Sequence, residues 1–266
     1  MQVRAIIYEP DEFPDELYQR ALLLLDPESS ARIKKFYRRE DACRTLIGRF
    51  LPRMLLHDRG VALSAMEFAA TEVGKPFITT QGLDPPIAYN VSHDNGLVVV
   101  ASSNNTHNPP AFTLGIDVMK VRVPGRESLA SFVDSMADQA RPNLTTLERR
   151  LIASTADQDQ ALERFFWMWT AKEAYTKALG LGLGFDFQRV EFDPAEDTLR
   201  VDGRKPAGWI FSKFVVLRGG DRYQGVVAEF VGGDETTVVA ESQLHNWVAL
   251  EHAAPFIRAA IQRISG

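Results

Sequence analysis

Glu173 and Lys177 stand four residues apart in the stretch Trp169 to Lys177, which reads W-T-A-K-E-A-Y-T-K. On a helix this spacing puts a carboxylate and an ammonium on one side. Such a pair can hold a metal ion or take a proton while its cation steadies an anion. The same spacing also makes an ordinary surface salt bridge. Three other stretches carry polar groups that could complete a site. In Leu114–Lys120, strand alternation puts Leu114, Ile116 and Val118 on one face and Gly115, Asp117 and Met119 on the other. A carboxylate buried among apolar neighbours is costly unless it is paired. A hard cation such as Mg²⁺, a backbone amide or an arginine would each offset that cost, and Gly115 would let a ligand approach closely. The stretch Asn90-Val91-Ser92-His93-Asp94 packs an amide, a hydroxyl, an imidazole and a carboxylate together. Ser92 and His93 suit phosphate oxygens, although Asn, Ser and Asp are also plain turn formers. In Gly74-Lys75-Pro76 the pre-proline backbone is held extended, either to aim the Lys75 ammonium at a phosphate or simply to turn the chain.

The elements that must position these groups follow from periodicity and breakers. Val3 to Tyr8 reads as a strand and Pro14 to Leu25 as a helix with proline in its first turn. Ala31 to Leu56 shows a helical pattern interrupted at Pro52. Phe68 to Val73 reads as a strand. Ile87–Ser92 and Leu97–Ser102 form a hairpin through Asp94-Asn95-Gly96, because Asn-Gly accepts positive φ. The polar stretch Asn104 to Pro110 marks a boundary, giving an N-terminal half over 1–110 and a C-terminal half over 111–266. The second half opens with a strand over Thr113–Val121. Helices follow over 126–138, 145–154 and 158–179, with a capping box at Thr145 and Glu148 and Gly180 closing the third. Strands return over 188–193, 209–217, 223–231 and 236–240, before a last helix over 254–264. Both halves mix helices with antiparallel strands, so the class is α+β. No residue-level repeat links them.

Composition narrows the function. The 266 residues are 45% hydrophobic and 24% charged, as in ordinary globular proteins. One cysteine, Cys43, excludes an intramolecular disulfide and suits a reducing, cytoplasmic setting. Apolar runs are too short to span a bilayer, and an acidic first twenty residues argue against a leader. Net charge is −5, yet Arg32 to Arg59 holds nine Lys/Arg against three acids. A basic patch on an acidic protein suits a small phosphorylated ligand or an acidic partner better than nucleic acid; it is equally a solvated helix face.

The four stretches in order, G-K-P, N-x-S-H, G-I-D and W-x-x-K-E-A-x-x-K, resemble the 4′-phosphopantetheinyl transferases, in particular the larger, monomeric, surfactin-type subgroup and its eukaryotic-like branch. The resemblance spans about residues 30–195 and includes Gly180 to Phe187. It implies two similar α+β halves about a pseudo-twofold axis, with coenzyme A and Mg²⁺ in the cleft. It implies transfer of the phosphopantetheine arm of coenzyme A to a serine of an apo acyl or peptidyl carrier protein, leaving adenosine 3′,5′-bisphosphate.

Carried over residue by residue, the resemblance makes Asp117 and Glu173 metal ligands and Glu173 the base for the carrier serine. Lys177 neutralises the pyrophosphate, Ser92 and His93 contact coenzyme A phosphates, and Lys75 with Arg32 holds the nucleotide end. Phosphoryl transfer needs charge neutralisation and positioning above all. Many family members carry an acid two residues after the first aspartate, where this chain has Met119, a poor Mg²⁺ ligand. Asp94 is therefore expected as a third metal ligand beside Asp117 and Glu173. Carrier docking is expected on Arg122 to Arg150, through Arg126, Arg149 and Arg150 with Phe132 and Met136 exposed. Two other readings are a Mg²⁺-dependent phosphohydrolase of coenzyme A or a nucleotide, and a coenzyme A- or carrier-binding module weakened in catalysis.

Overall fold

The computed structural model describes the chain except residues 105–106, 110, 124, 126, 137–142, 182–183, 241–246 and 266. Its elements are β1 (Gln2–Ile7), α1 (Asp15–Leu22), α2 (Pro27–Lys34), α3 (Arg39–His57), β2 (Phe68–Ala70), β3 (Pro76–Ile78), β4 (Ala88–Asp94), β5 (Leu97–Ser103) and β6 (Leu114–Lys120). There follow α4 (Leu129–Met136), α5 (Thr146–Ala153), α6 (Gln158–Leu179), β7 (Val190–Asp193), β8 (Thr198–Val201), β9 (Trp209–Arg218), β10 (Asp221–Phe230), β11 (Thr237–Val239), β12 (Val248–His252) and α7 (Ala253–Ser265).

Two four-stranded sheets dominate, ordered β12-β1-β5-β4 and β11-β9-β10-β6. They reveal a repeat that the residues conceal. In the first half a strand (β1), a long helix (α3) and a hairpin (β4–β5) give the order β1-β5-β4. In the second, β6, α6 and the hairpin β9–β10 give β6-β10-β9. Each hairpin returns its second strand antiparallel to the opening strand. This mixed α+β architecture of two sheet-containing halves is the one expected.

Burial sorts the residues into layers. Val3, Ala5, Val99, Leu114, Ile116, Val118, Phe214 and Val227 fill the space between the sheets. Leu46, Ile47, Phe50 and Ile257 pack α3 and α7 on the outer face of the first sheet. Phe165, Phe166, Met168 and Phe211 pack α6 on the outer face of the second. Each of the larger of these side chains contributes about 1.5–3 kcal/mol. Helix α6 is apolar on several sides because sheet, α4 and α5 enclose it. Trp169 is half-buried, stacking on Phe165 and meeting Phe187 edge-on.

Several expectations need correction. The pattern over 31–56 is two helices, and the break falls between α2 and α3 rather than at Pro52. Pro52 lies inside α3, whose flanking residues Leu51, Arg53 and Met54 are all buried. Packing on both sides of the proline outweighs the lost hydrogen bond. The chain also returns to its first half. β12 pairs parallel with β1, Val3 opposite Val248, and α7 packs beside α3. A division at 110 therefore leaves out a strand and a helix that complete the first layer.

Candidate active site

β6 approaches α6 more closely than any side chain would permit. A Cβ on Gly115 would lie 2.9 Å from the Cα of Ala178 and nearer still to Ala174 O and Ala178 N. Glycine at this position seats the helix on the strand. Alternation then turns Asp117, two residues on, toward the same helix.

Asp117 is 4% exposed. Its Oδ1 accepts from Lys177 Nζ at 2.6 Å and from Ser92 Oγ at 2.9 Å, and Lys177 also donates to Ser92 Oγ at 3.0 Å. Its Oδ2 is buried and has no hydrogen-bond partner among the described residues. Glu173 lies one turn before Lys177 on α6, half-buried. Burial chiefly, and the Asp117 carboxylate next, push the Glu173 carboxyl above its usual value, while Lys177 opposes them. Two carboxylates thus crowd one cation, and one oxygen is left without a donor. That donor set, oxygen only and short of positive charge, fits a hard divalent cation. The Lys177 ammonium pairs with Asp117 on another element, not with Glu173 on its own.

Alternate residues of β4 fasten the two sheets together through side chains. Asn90 Oδ1 accepts from the backbone N–H of Ile116 at 2.9 Å. Asp94 Oδ2 accepts from that of Lys120 at 2.7 Å and from Asn95 Nδ2 at 2.8 Å. Ser92 sits between them, on Asp117. His93 points to the opposite face of β4, exposed at its outer edge. Protein crowding around its ring, then the cations Arg44 and Lys177, hold its pKa below the ordinary value. Met119, on the Asp117 face, packs against the core beneath α6. Among the described residues, the cluster with three ligand-type side chains within 4.8 Å is elsewhere: Glu9, Glu12 and His252. Glu9 there is already paired with Arg218.

Two family models match the chain: the 4′-phosphopantetheinyl transferase superfamily over residues 113–227, and the 4′-phosphopantetheinyl transferase N-terminal region over residues 13–105. A 4′-phosphopantetheinyl transferase of Paxillus involutus is 46% identical over 264 residues, covering 99% of this chain and 100% of that protein. The chain belongs to the 4′-phosphopantetheinyl transferase superfamily. It is an enzyme that transfers the 4′-phosphopantetheine moiety of coenzyme A to carrier proteins. The human L-aminoadipate-semialdehyde dehydrogenase-phosphopantetheinyl transferase is 30% identical over 207 residues, 73% of this chain and 64% of that protein. The Sfp transferase of Bacillus subtilis is 28% identical over 178 residues, 66% of this chain and 70% of that one.

Not every expected site residue of this transferase lies with Asp117 and Lys177. Lys75 is buried and its Nζ donates to two backbone carbonyls, Phe112 O at 2.7 Å and Ala178 O at 2.5 Å, instead of facing open space. Arg32 is exposed in the last turn of α2, with no bond to the cleft among the described residues. Phe132, expected on the surface, is 3% exposed because it packs edge-on against Phe165 at 4.8 Å. Met136 is half-buried, Arg149 and Arg150 are exposed, and Arg126 lies outside the described residues.

Lys172 is a residue whose role the sequence reading missed. It pairs with Glu148 at 2.5 Å, the two side chains being 1% and 0% exposed. Lys172 also donates to Asn143 O and Phe187 O. Glu148 accepts from the backbone of Thr145 and of Phe192. Burial pushes the Glu148 carboxyl up and the Lys172 ammonium down, against the pairing that favours both charges. Adjacent motif residues therefore differ in their surroundings: Lys172 anchors α6 to α5 and, through Glu148, to β7, whereas Glu173 lies near Asp117 and Lys177. The capping box at Thr145 and Glu148 was the available signal, since it marks a glutamate fixed at a helix start.

Proposed function

We propose that transfer takes place where β6 meets α6, with Asp117 and Glu173 as the ligands of a Mg²⁺ ion. The carrying observation is Asp117 Oδ2, buried and without a partner among the described residues, beside a second carboxylate. When bound, the cation would supply charge neutralisation for the pyrophosphate of coenzyme A. The chain's own groups would do the rest. Glu173, its carboxyl raised by burial, accepts the proton of the carrier serine, directly or through a water. The serine Oγ then bonds to the phosphorus of the phosphopantetheine arm as the bond to the adenosine bisphosphate breaks. Lys177 leaves Asp117 for the pyrophosphate and steadies the departing bisphosphate. Ser92 and His93, on opposite faces of β4 at one edge of the cleft, offer donors to phosphate oxygens.

Asp94 enters this reading as a clamp. Its Oδ2 is engaged by Lys120 and Asn95, which fixes β6 and so the direction of Asp117. Calorimetric titration with Mg²⁺ and coenzyme A tests the assignment. Asp117→Asn and Glu173→Gln should each abolish the metal-dependent heat, whereas Asp94→Asn, which keeps an acceptor for Lys120, should retain it. Loss of metal binding in Asp94→Asn equal to that in Asp117→Asn would restore Asp94 as a ligand.

The carrier is proposed to be acidic and to dock along exposed Arg149 and Arg150 of α5. Fatty-acid, polyketide, peptide-synthetase and lysine-pathway carriers all share that chemistry. No helix among the described residues is long and apolar enough to cross a membrane. A buried, free Cys43 supports a reducing, cytoplasmic setting as part of the proposal.

A further inference from the structure

Lys75 is a buried cation that the transfer chemistry leaves unused. It is 8% exposed, and no carboxylate pairs with it among the described residues. An ammonium held only by neutral carbonyls is expensive, and burial lowers its pKa to about 8. Water could satisfy two carbonyls at smaller cost. What the lysine adds is a link between two particular places. Ala178 directly follows Lys177 at the end of α6, and Phe112 leads into β6, which carries Asp117. Its stem runs beside Gly180, which closes α6 in the left-handed conformation at φ 69°. The charge also faces the negative end of the helix dipole.

We propose that Lys75 is a positioning residue for the transfer: its ammonium fixes the last turn of α6 against the lead-in of β6, and so sets Glu173 and Lys177 at their distance from Asp117. The inference rests on the assignment of that site to the transfer. A lysine that instead gripped the nucleotide end of coenzyme A would act on binding, and this is where the two roles separate.

The test compares the full-length wild type with Lys75→Met and Lys75→Arg in steady-state kinetics and in Mn²⁺ titration. For Lys75→Met, kcat should fall about tenfold to a hundredfold, since a displacement near 1 Å costs that much. The KM for coenzyme A should stay within about twofold, and Mn²⁺ should bind more weakly. Lys75→Arg, which keeps two donors for the two carbonyls, should recover most of kcat. A large rise in KM for coenzyme A with kcat intact would overturn the proposal in favour of nucleotide binding. Unchanged kcat and Mn²⁺ affinity would overturn it as well. Should Lys75→Met fail to fold, Lys75→Gln, with a donor on a shorter stem, is read by the same criteria. The Mn²⁺ titration does not depend on turnover. A wild type that binds Mn²⁺ but transfers nothing would sink the transfer assignment while leaving the effect of Lys75 on the metal pair measurable.

Discussion

Gly115→Ala tests whether the closeness of β6 and α6 is what builds the site. The added methyl would meet three backbone atoms of α6: Ala174 O, Ala178 N and, at 2.9 Å, Ala178 Cα. Backbone cannot rotate away as a side chain can, so the helix must shift as a body. Overpacking of this kind costs about 1–3 kcal/mol, and contact with helix backbone places it at the upper end, about 3 kcal/mol. For a chain of this size that lowers the melting temperature by about 6–12 °C. If α6 backs away by about an ångström, Asp117 separates from Lys177 and Glu173, and transfer slows about a hundredfold even in the folded fraction. Thermal unfolding and the initial rate of carrier modification, measured on one preparation, give both numbers. An unchanged melting temperature together with a wild-type rate would refute the close seating of α6 on β6 and the site built from it.

Three further outcomes follow from other features. Lys172→Met should destabilise by about 3–5 kcal/mol by stranding buried Glu148, and adding Glu148→Gln, which removes the stranded charge but keeps acceptors for Thr145 and Phe192 N–H, should recover part of the loss in chemical denaturation; a loss below about 1 kcal/mol in Lys172→Met would show that the pair is not the anchor. Lys75 has a folded pKa of about 8, below its unfolded value near 10.4, so the unfolded state binds more protons between them. Wild-type stability should therefore gain up to about 3 kcal/mol relative to Lys75→Met as pH rises from about 8 to about 10.5, and a flat difference would contradict the buried charge. Reversing Arg149 and Arg150 to Glu should raise the KM for an acidic carrier severalfold with coenzyme A binding intact; a matching loss of coenzyme A binding would count against docking there.

Local features of the site were legible in the sequence because local physics writes them. Alternation alone set Asp117 opposite Ile116 and beside Gly115, and the hairpin at Asn95-Gly96, with Asn95 at φ 47°, followed from its turn residues. The Thr145–Glu148 box and the Gly180 cap were equally local. What escaped depends on contacts between distant segments. The ion pair of Lys177 with Asp117, sixty positions away, has no local signal. Lys75 reads as a phosphate ligand until the carbonyls of Phe112 and Ala178 are seen around it. Strand β12 lacks a clear alternating pattern because it lies at the sheet edge, largely exposed, with β1 as its one neighbour among the described residues. The repeat of strand, helix and hairpin survives in topology after residue similarity has gone, since packing fixes the pattern of burial rather than the residues that provide it.

The central claim is that the groups on β6 and α6 transfer phosphopantetheine to a carrier serine. Its most direct test is intact mass spectrometry of apo-carriers incubated with coenzyme A, Mg²⁺ and the full-length protein, alongside Glu173→Gln. The wild type should add the mass of one phosphopantetheine to at least one carrier only when Mg²⁺ is present, and Glu173→Gln should add none. No mass gain on any carrier with the wild type, or an equal gain with Glu173→Gln, would contradict the account.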